Sequence, residues 1–288
     1  MFTHQVVPLH IESLIEFLQT FSSRKLTREE LKMSFQPSSV SENQTQSNNT
    51  IAAALELQLL EEKGDKSLGL IEPYKKRGEP KTKLLQAIEA RVLNTTEVEY
   101  YFALFYSYIL GLNNEIPIVA SQGEGEAWAT RFNRDVFNNI KQTNPFNKDK
   151  YGKLFRWIVY SGLGWVDPSN QFNCNPFERI KRSLKTVFGK SKKLECDDFL
   201  VALAEACPEL DRGKIFLKAN KKYDEGAKRC TLGLSQALVD LHVNGFIKLH
   251  CPMDSDGWSI ALASPPNDGK SLASNRISQV ELGKGGGK

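Results

Sequence analysis

The densest cluster of chemically active side chains in this sequence is basic. Seven lysine and arginine residues, and no acidic residue, lie within residues 179–193. Guanidinium and ammonium groups in such a run attract nucleic-acid phosphates without regard to base sequence. A solvated helix face has the same composition, so charge alone does not separate the two interpretations. The seven candidate phosphate contacts are Arg179, Lys181, Arg182, Lys185, Lys190, Lys192 and Lys193.

The positive charge of the chain is concentrated around this run. The sequence has 38 basic and 34 acidic residues, yet residues 150–193 alone hold 10 basic and 2 acidic ones. Two smaller groups of cations are weaker candidates for phosphate contact. They are Lys75, Lys76 and Arg77 near the N-terminus, and Lys228 and Arg229 nearer the C-terminus.

A helix is the element expected to position the basic run. Phe177, Ile180 and Leu184 recur at helical spacing, which predicts an apolar stripe that packs on the protein. Pro176 suits the first turn of a helix, and Gly189 suits its end. The basic residues lie off the stripe, so we expect their side to face phosphate or solvent.

No arrangement of residues typical of an enzyme occurs. The four histidines stand outside the common catalytic and metal-binding motifs. The Gly-Lys-Ser sequence at 269–271 lacks the first glycine of a phosphate-binding loop. Cys230, His242, His250 and Cys251 match no metal-ligand spacing. We therefore expect no catalytic residue, no metal site and no cofactor.

Cysteine content and hydropathy indicate a cytoplasmic location. The five cysteines are an odd number without a paired spacing, as expected for reduced thiols. The N-terminal residues lack the pattern of a signal peptide. The longest largely apolar stretch, residues 100–112, is shorter than the roughly 20 residues that a spanning helix needs. We expect no membrane contact.

The N-terminal part, residues 1–80, has the element order of a winged helix-turn-helix domain. The pattern predicts a first helix, a second helix opened by a capping box at Thr27–Glu30, and a third helix at 50–63. A polar loop at 38–49 precedes the third helix, and a strand at 67–74 follows it.

The C-terminal part, residues 195–264, repeats this order. A third helix at 231–244 precedes two strands, 246–251 and 258–263, which we expect to pair as a hairpin. Three helices followed by a hairpin are typical of a winged helix. Residues 265–288 have the composition of a flexible tail.

The middle region, residues 81–194, is predicted to be helical and to contain the basic helix. Aromatic residues cover all sides of a helix at 100–111, so that helix should be buried. Residues 153–176 read as a helix and a short hairpin. This order fits the end of a degenerate third winged helix, and it also fits a helical region without that fold, so both interpretations stay open. The predicted fold class is mainly α with small β-hairpins: tandem winged helix-turn-helix domains joined by this helical middle region.

The two predicted third helices are poorly suited to reading bases. Specific readers present Arg, Lys, Asn or Gln to the major groove. In the C-terminal domain only Ser235 and Gln236 could do so. The helix at 50–63 has no basic residue before its end, and its glutamates would repel DNA. Leu57 and Leu60 give it a second apolar face, which favours a protein partner or packing against the middle region.

Four C-terminal segments resemble a known bacterial family. They are FLVALAEACPELD (199–211), LGLSQALVDLHVNGFIKL (232–249), DSDGWSIALA (254–263) and SNRISQVEL (274–282). These segments are similar to DpdG, a component of clusters that install 7-deazaguanine bases in DNA and restrict foreign DNA. The resemblance implies a defence protein that works beside helicase and ATPase partners. The resemblance does not identify any catalytic residue in this sequence.

Together these observations predict a non-enzymatic, nucleic-acid-associated protein of a bacterial anti-phage restriction system. It would contact DNA phosphates without sequence preference and bind partner proteins such as a helicase or ATPase. Two alternatives stay open: a protein-interaction scaffold without DNA affinity, and a winged-helix transcription regulator.

Overall fold

The protein folds as two compact units with a mainly helical architecture. The structure is a computed structural model that describes residues 6–21, 25–41, 43–93, 100–112, 124–138, 144–168, 171–250, 257–261 and 275–285. The first unit comprises residues 1–100 and 153–157, and the second comprises 101–152 and 158–288. The predicted boundaries at 80 and 194 do not coincide with this division. No helix within the described ranges is both long and apolar enough to cross a membrane.

The first unit has the order helix, strand, helix, helix, strand, strand. Its elements are α1 (Pro8–Thr20), β1 (Leu26–Thr27), α2 (Arg28–Phe35), α3 (Thr45–Glu56), β2 (Leu60–Glu62), β3 (Ser67–Leu70), α4 (Glu72–Lys75) and α5 (Pro80–Ile88). The strands pair antiparallel in the order β1-β3-β2. The predicted capping box is confirmed: the Glu30 amide donates to the Thr27 hydroxyl, and the Thr27 amide donates to the Glu30 carboxylate.

The third helix of the first unit lies earlier in the chain than predicted. Because α3 begins at Thr45, the predicted loop at 38–49 ends in helix, and residues 60–62 form β2 instead of continuing the helix. Leu57 and Leu60 follow the helix and are buried. The prediction of a second apolar face on this helix is therefore wrong.

The second unit contains the remaining helices and three sets of paired strands. Residues 153–157 belong to the first unit, although they lie within a helix, Lys148–Tyr160, that is otherwise part of the second. Its elements are α6 (Tyr100–Gly111), α7 (Glu124–Phe137), α8 (Lys148–Tyr160), β4 (Gly164–Val166), β5 (Phe172–Cys174), α9 (Phe177–Phe188), β6 (Lys193–Glu195), α10 (Cys196–Ala206), α11 (Lys214–Ala219), α12 (Leu232–Val243), β7 (Ile247–His250), β8 (Trp258–Ser259), β9 (Arg276–Ile277) and β10 (Gln279–Leu282).

Aromatic packing forms part of the core of the second unit. The rings of Phe105 and Phe146 stack at 4.8 Å, and Phe132 packs edge-on against both. Most side chains of α6 are buried, among them Phe102 and Tyr106, as the sequence predicts for a helix that is aromatic on all sides. The hairpin predicted after α8 is also confirmed, since β4 pairs antiparallel with β5.

The C-terminal strands do not pair as the sequence suggests. The predicted hairpin between 246–251 and 258–263 is wrong, because β7 pairs with β10 and β8 pairs with β9. β10 also pairs with β6, so the sheet order is β6-β10-β7. Residues 251–256 and 262–274 lie outside the described residues.

The prediction of a flexible tail over 265–288 is wrong for residues 275–285. This segment holds β9 and β10, and Ile277 and Val280 are fully buried. The buried apolar side chains hold the segment in the fold, since removing them from water stabilises the sheet. Its polar composition concealed this role.

The basic helix α9 belongs to the C-terminal body and is not part of a linker. It packs against both α10 and α12. With α9 counted first, the second unit also shows the order helix, strand, helix, helix, strand, strand. The additional elements are α11, between α10 and α12, and the paired strands β8 and β9, between β7 and β10. The strand order β6-β10-β7 then corresponds to β1-β3-β2 of the first unit.

Three helices that precede a strand end in the same way. Gln58, Gly162 and Gly245 follow α3, α8 and α12, with φ values of 52°, 72° and 73°. In each case the next amide donates back to a carbonyl five residues earlier, as Leu59 does to Ala54. This bonding satisfies the last carbonyls of the helix and redirects the chain into the strand.

Candidate nucleic-acid interface

The side chains of α9 lie on two faces, an inner face that packs on the protein and an outer face that is exposed. Of the predicted apolar stripe, Ile180 and Leu184 are fully buried and Phe177 is half-buried. Val187 and Phe188 continue the buried face to the end of the helix. The side-chain oxygen of Asn175 accepts a hydrogen bond from the amide of Phe177, within the first turn. α9 ends at a glycine with positive φ, in agreement with the predicted stop.

Arg179 lies on the inner face of α9. The prediction that it contacts phosphate is therefore wrong. Its side chain is only 3% exposed, and its Nε donates to the Glu209 carboxylate at 2.9 Å. Its two terminal nitrogens donate to the Ser183 hydroxyl and the Ala206 carbonyl oxygen. A guanidinium with these partners is not accessible to a phosphate. The acidic partner stands 30 residues away in sequence, so local periodicity could not reveal it.

The other cations of the run lie on the outer side of α9 and continue into β6. Lys181 is half-buried, with its ammonium 4.5 Å from the ring centre of Phe246 and 3.5 Å from Glu178. The remaining five are exposed and are called the α9–β6 cations below. They are Arg182, Lys185, Lys190, Lys192 and Lys193.

The α9–β6 cations differ in how strongly they are held. Arg182 donates to the Ser161 carbonyl oxygen at 2.7 Å, which fixes its guanidinium beside the end of α8. Lys185, Lys190 and Lys192 form no ion pair with a described residue. Arg182 therefore offers a positioned contact, and the lysines offer mobile charges.

The predicted cations before α12 are partly neutralised by acids. Lys228 has positive φ, and its ammonium lies 3.7 Å from Asp197. The same carboxylate accepts a hydrogen bond from the Trp258 indole. Arg229 is exposed, and its carbonyl oxygen accepts from the Tyr223 hydroxyl.

The third group of predicted cations belongs to the first unit and follows β3. Lys75 pairs with Glu72, while Lys76 and Arg77 are exposed. The buried ammonium of Lys83 donates to the Lys76 carbonyl oxygen and anchors this turn. Burial lowers the pKa of Lys83. These residues lie at the end of α4 and directly after it, and not in the β2–β3 loop.

The face of α12 that would read bases is enclosed. Ser235 is fully buried; its hydroxyl donates to the Thr231 carbonyl oxygen and accepts from the Ala261 amide. Gln236 is half-buried and donates to Asp240. The elements α6 and β5 cover this face beside Gly233, where an added Cβ would lie 2.7 Å from Leu110 and 2.8 Å from the carbonyl oxygen of Cys174.

The exposed side of α3 carries polar residues that sequence reasoning placed in a loop. Thr45 is exposed, and Asn48 and Asn49 are half-exposed, in the N-terminal half of the helix. The buried residues Ser47, Thr50, Ile51 and Ala54 follow helical spacing. That periodicity of small side chains was the signal that could have revealed the true helix start.

No cluster of potential metal ligands exists within the described part of the chain. His242 accepts from the Leu249 amide through Nδ1, and His250 contacts Glu281 at 2.9 Å. Burial alone would raise the pKa of Asp135, but hydrogen bonds from Arg134 and Tyr108 outweigh it and lower that pKa. The Gly-Lys-Ser sequence at 269–271 lies outside the described residues.

The chain matches a known protein family. A family model described as DpdG-like matches residues 3–255. No curated protein and no solved structure matches the chain. The family match confirms the resemblance and extends it through the N-terminal part. It covers the segments at 199–211 and 232–249, whereas most of 254–263 and all of 274–282 lie beyond the matched range.

Proposed function

The chain belongs to the DpdG-like family, and on this premise we propose that it is a non-enzymatic component of a bacterial DNA modification and restriction system. It contacts DNA phosphates without sequence preference and binds proteins of the same system, such as a helicase or ATPase. It acts in the cytoplasm and needs no cofactor. We also propose that the repeated element order reflects tandem winged helix-turn-helix domains.

The observation that carries the DNA proposal is the outer surface of α9 and β6. Five exposed cations lie there. Among the described acids, Glu178 pairs with Lys181, which is not one of the five, and Glu281 of β10 lies opposite Lys193. Exposed lysines without ion pairs retain their full charge for phosphate contact. Each neutralised phosphate releases condensed counterions, which makes such binding strongly dependent on salt.

The test is binding to labelled random duplex and single-stranded DNA across a salt series. Five phosphate contacts predict that log affinity falls with log salt at a slope of about −4.5 on duplex DNA and about −3.5 on single-stranded DNA. The variant with Lys185→Glu, Lys190→Glu and Lys192→Glu should lose about three units of slope, and at least about tenfold in affinity at low salt.

A matched control separates local contact from net charge. Lys63→Glu, Lys148→Glu and Lys214→Glu change the charge by the same amount at exposed positions elsewhere. We expect this variant to retain most of the affinity. Equal losses in both variants would contradict a defined binding surface.

The scaffold alternative has its own supporting observation. Val159 and Trp165 are 39% and 50% exposed and line one cleft beside the end of α8 and the β4–β5 hairpin. Exposed apolar side chains that lie together favour a protein contact. Absence of DNA binding at low salt would make this alternative the leading function.

The transcription-regulator alternative depends on α3, since the corresponding face of α12 is enclosed. Asn48 and Asn49 carry amide groups of the kind that recognise adenine. An enriched motif in a random-DNA selection would favour this alternative over binding without sequence preference.

A further inference from the structure

A second potential ligand site lies in a cleft of about 820 Å³ within the second unit. The C-terminal ends of α6, α7 and α11 bound it, together with the segment that leads into α12. Its volume falls within the range of about 300–1,000 Å³ that small-molecule sites occupy. None of the α9–β6 cations lines it.

Four cations and two acids line this cleft, so its charge is positive. Two of the cations have internal partners. Arg134 donates to the Asp135 carboxylate at 2.8 Å, and the ammonium of Lys221 donates to the Val136 carbonyl oxygen at 2.9 Å. The second contact compensates the negative end of the α7 dipole, which is a structural role.

The other two cations, Lys222 and Arg229, have no such role. Both are exposed, and neither side chain forms an ion pair or hydrogen bond with a described residue. Two charges that stabilise nothing within the described chain are available for an anion with two negative charges, such as a phosphate monoester.

The backbone around Arg229 is held firmly, which limits the entropy lost on binding. Its carbonyl oxygen accepts from the Tyr223 hydroxyl, and the next amide, that of Cys230, donates to Ser259. Tyr223 packs edge-on against Phe216 at 5.0 Å and also lines the cleft. A fixed aromatic ring beside two free cations suits a ligand that carries both a base and a phosphate.

We propose that this cleft binds a nucleoside phosphate, with Lys222 and Arg229 as the phosphate contacts and Tyr223 as a surface for the base. The ligand could be a free nucleotide or the phosphorylated end of a DNA strand, because both present the same chemistry. The site is separate from the α9–β6 cations, so it goes beyond the proposed duplex contact and does not depend on it.

The test is calorimetric titration of the full chain with ATP, dAMP, inorganic phosphate and two hexanucleotides, one with a 5′-phosphate and one with a 5′-hydroxyl. The comparison variant carries Lys222→Gln and Arg229→Gln. We expect saturable binding of ATP or of the 5′-phosphorylated strand, weakened at least about tenfold in this variant, because each hydrogen bond to a charged group is lost.

The control variant carries Lys190→Gln and Lys192→Gln, which removes two α9–β6 cations and leaves the cleft intact. It should keep nucleotide affinity and lose duplex affinity, so the two sites can fail independently. Binding of ATP and dAMP supports a free nucleotide, and binding of the 5′-phosphorylated strand alone supports a strand end. No saturable binding, or equal affinity in the cleft variant, would overturn the proposal.

Discussion

The helices α3 and α12 hold the same place in the element order of their units, yet they present different surfaces. α3 keeps Thr45, Asn48 and Asn49 accessible, whereas α6 and β5 cover the corresponding face of α12. Their N-termini differ as well. α12 is capped by the Thr231 hydroxyl, while α3 has no side-chain cap. The element order alone therefore does not determine whether such a helix can reach a ligand.

The largest effect is expected from breaking the buried ion pair that anchors α9, the helix packed against α12. Arg179→Ala leaves the fully buried Glu209 carboxylate without its guanidinium partner. We expect a loss of about 3–5 kcal/mol in the free energy of unfolding, because an uncompensated buried charge is strongly unfavourable. Chemical denaturation measures it.

The control for this prediction lies on the opposite face of the same helix. Lys185→Ala removes an exposed lysine and should change the free energy of unfolding by less than about 0.5 kcal/mol. A similar loss in both variants would contradict the division of α9 into inner and outer faces.

The second prediction concerns pH and the cap of α12. Burial raises the pKa of Asp211 to about 6, although this carboxylate accepts hydrogen bonds from the Thr231 amide and hydroxyl. A raised carboxyl pKa means that the folded state binds the proton more tightly. The resulting stability is fully present below the unfolded pKa, near 4, and is lost as pH rises through about 6.

Asp211→Asn removes this titration. The free energy of unfolding of the natural protein, relative to the variant, should fall by about 3 kcal/mol between pH 4 and pH 7. The measurement is urea unfolding at a series of pH values. A difference that stays constant over this range would show that Asp211 does not titrate there.

The third prediction tests the enclosure of α12 directly. Gly233→Leu forces a side chain against Leu110 and Cys174, and we expect a loss of about 1–3 kcal/mol from overpacking. Asn49→Leu, on the accessible side of α3, should shift stability by no more than about 0.5 kcal/mol. Thermal denaturation of both variants compares the two faces. Equal effects would mean that both helices are covered to the same extent.

The smallest effect concerns the ends of the same two helices. Gln58 ends α3 in a left-handed conformation, a position that glycine occupies after α12. Gln58→Gly should stabilise the protein by about 0.5–1 kcal/mol, because glycine adopts positive φ without the steric penalty of a side chain. Gly245→Gln should have the opposite sign. Calorimetric melting temperatures check both.

Local patterns in the sequence identified the features that depend on neighbouring residues. The capping box at Thr27, the buried aromatic helix and the β4–β5 hairpin are all set by residues close in the chain. Each was predicted correctly, because periodicity and turn residues report local structure.

Features that depend on distant partners were not predictable in this way. The sequence pattern predicts that Arg179 lies at the surface, because it does not reveal the contact with Glu209 that buries it. The composition of β10 predicts a flexible tail, because it does not reveal the pairing of this strand with β6 and β7. The end of α3 was missed for a local reason, because Gln58 adopts the left-handed conformation that glycine usually takes after a helix. In the candidate interface, the sequence alone identified the exposed cations. It could not show that Arg179 is buried or that α12 is enclosed.

The central place of β10 sets an order of events for a chain made from its N-terminus. β6 and β7 each pair only with β10 among the described strands, so both edges stay open until residues 279–282 have been synthesised. The sheet therefore cannot close before residues 279–282 have left the ribosome. A stalled or truncated product would present two unpaired strand edges, the kind of surface that proteases and chaperones recognise.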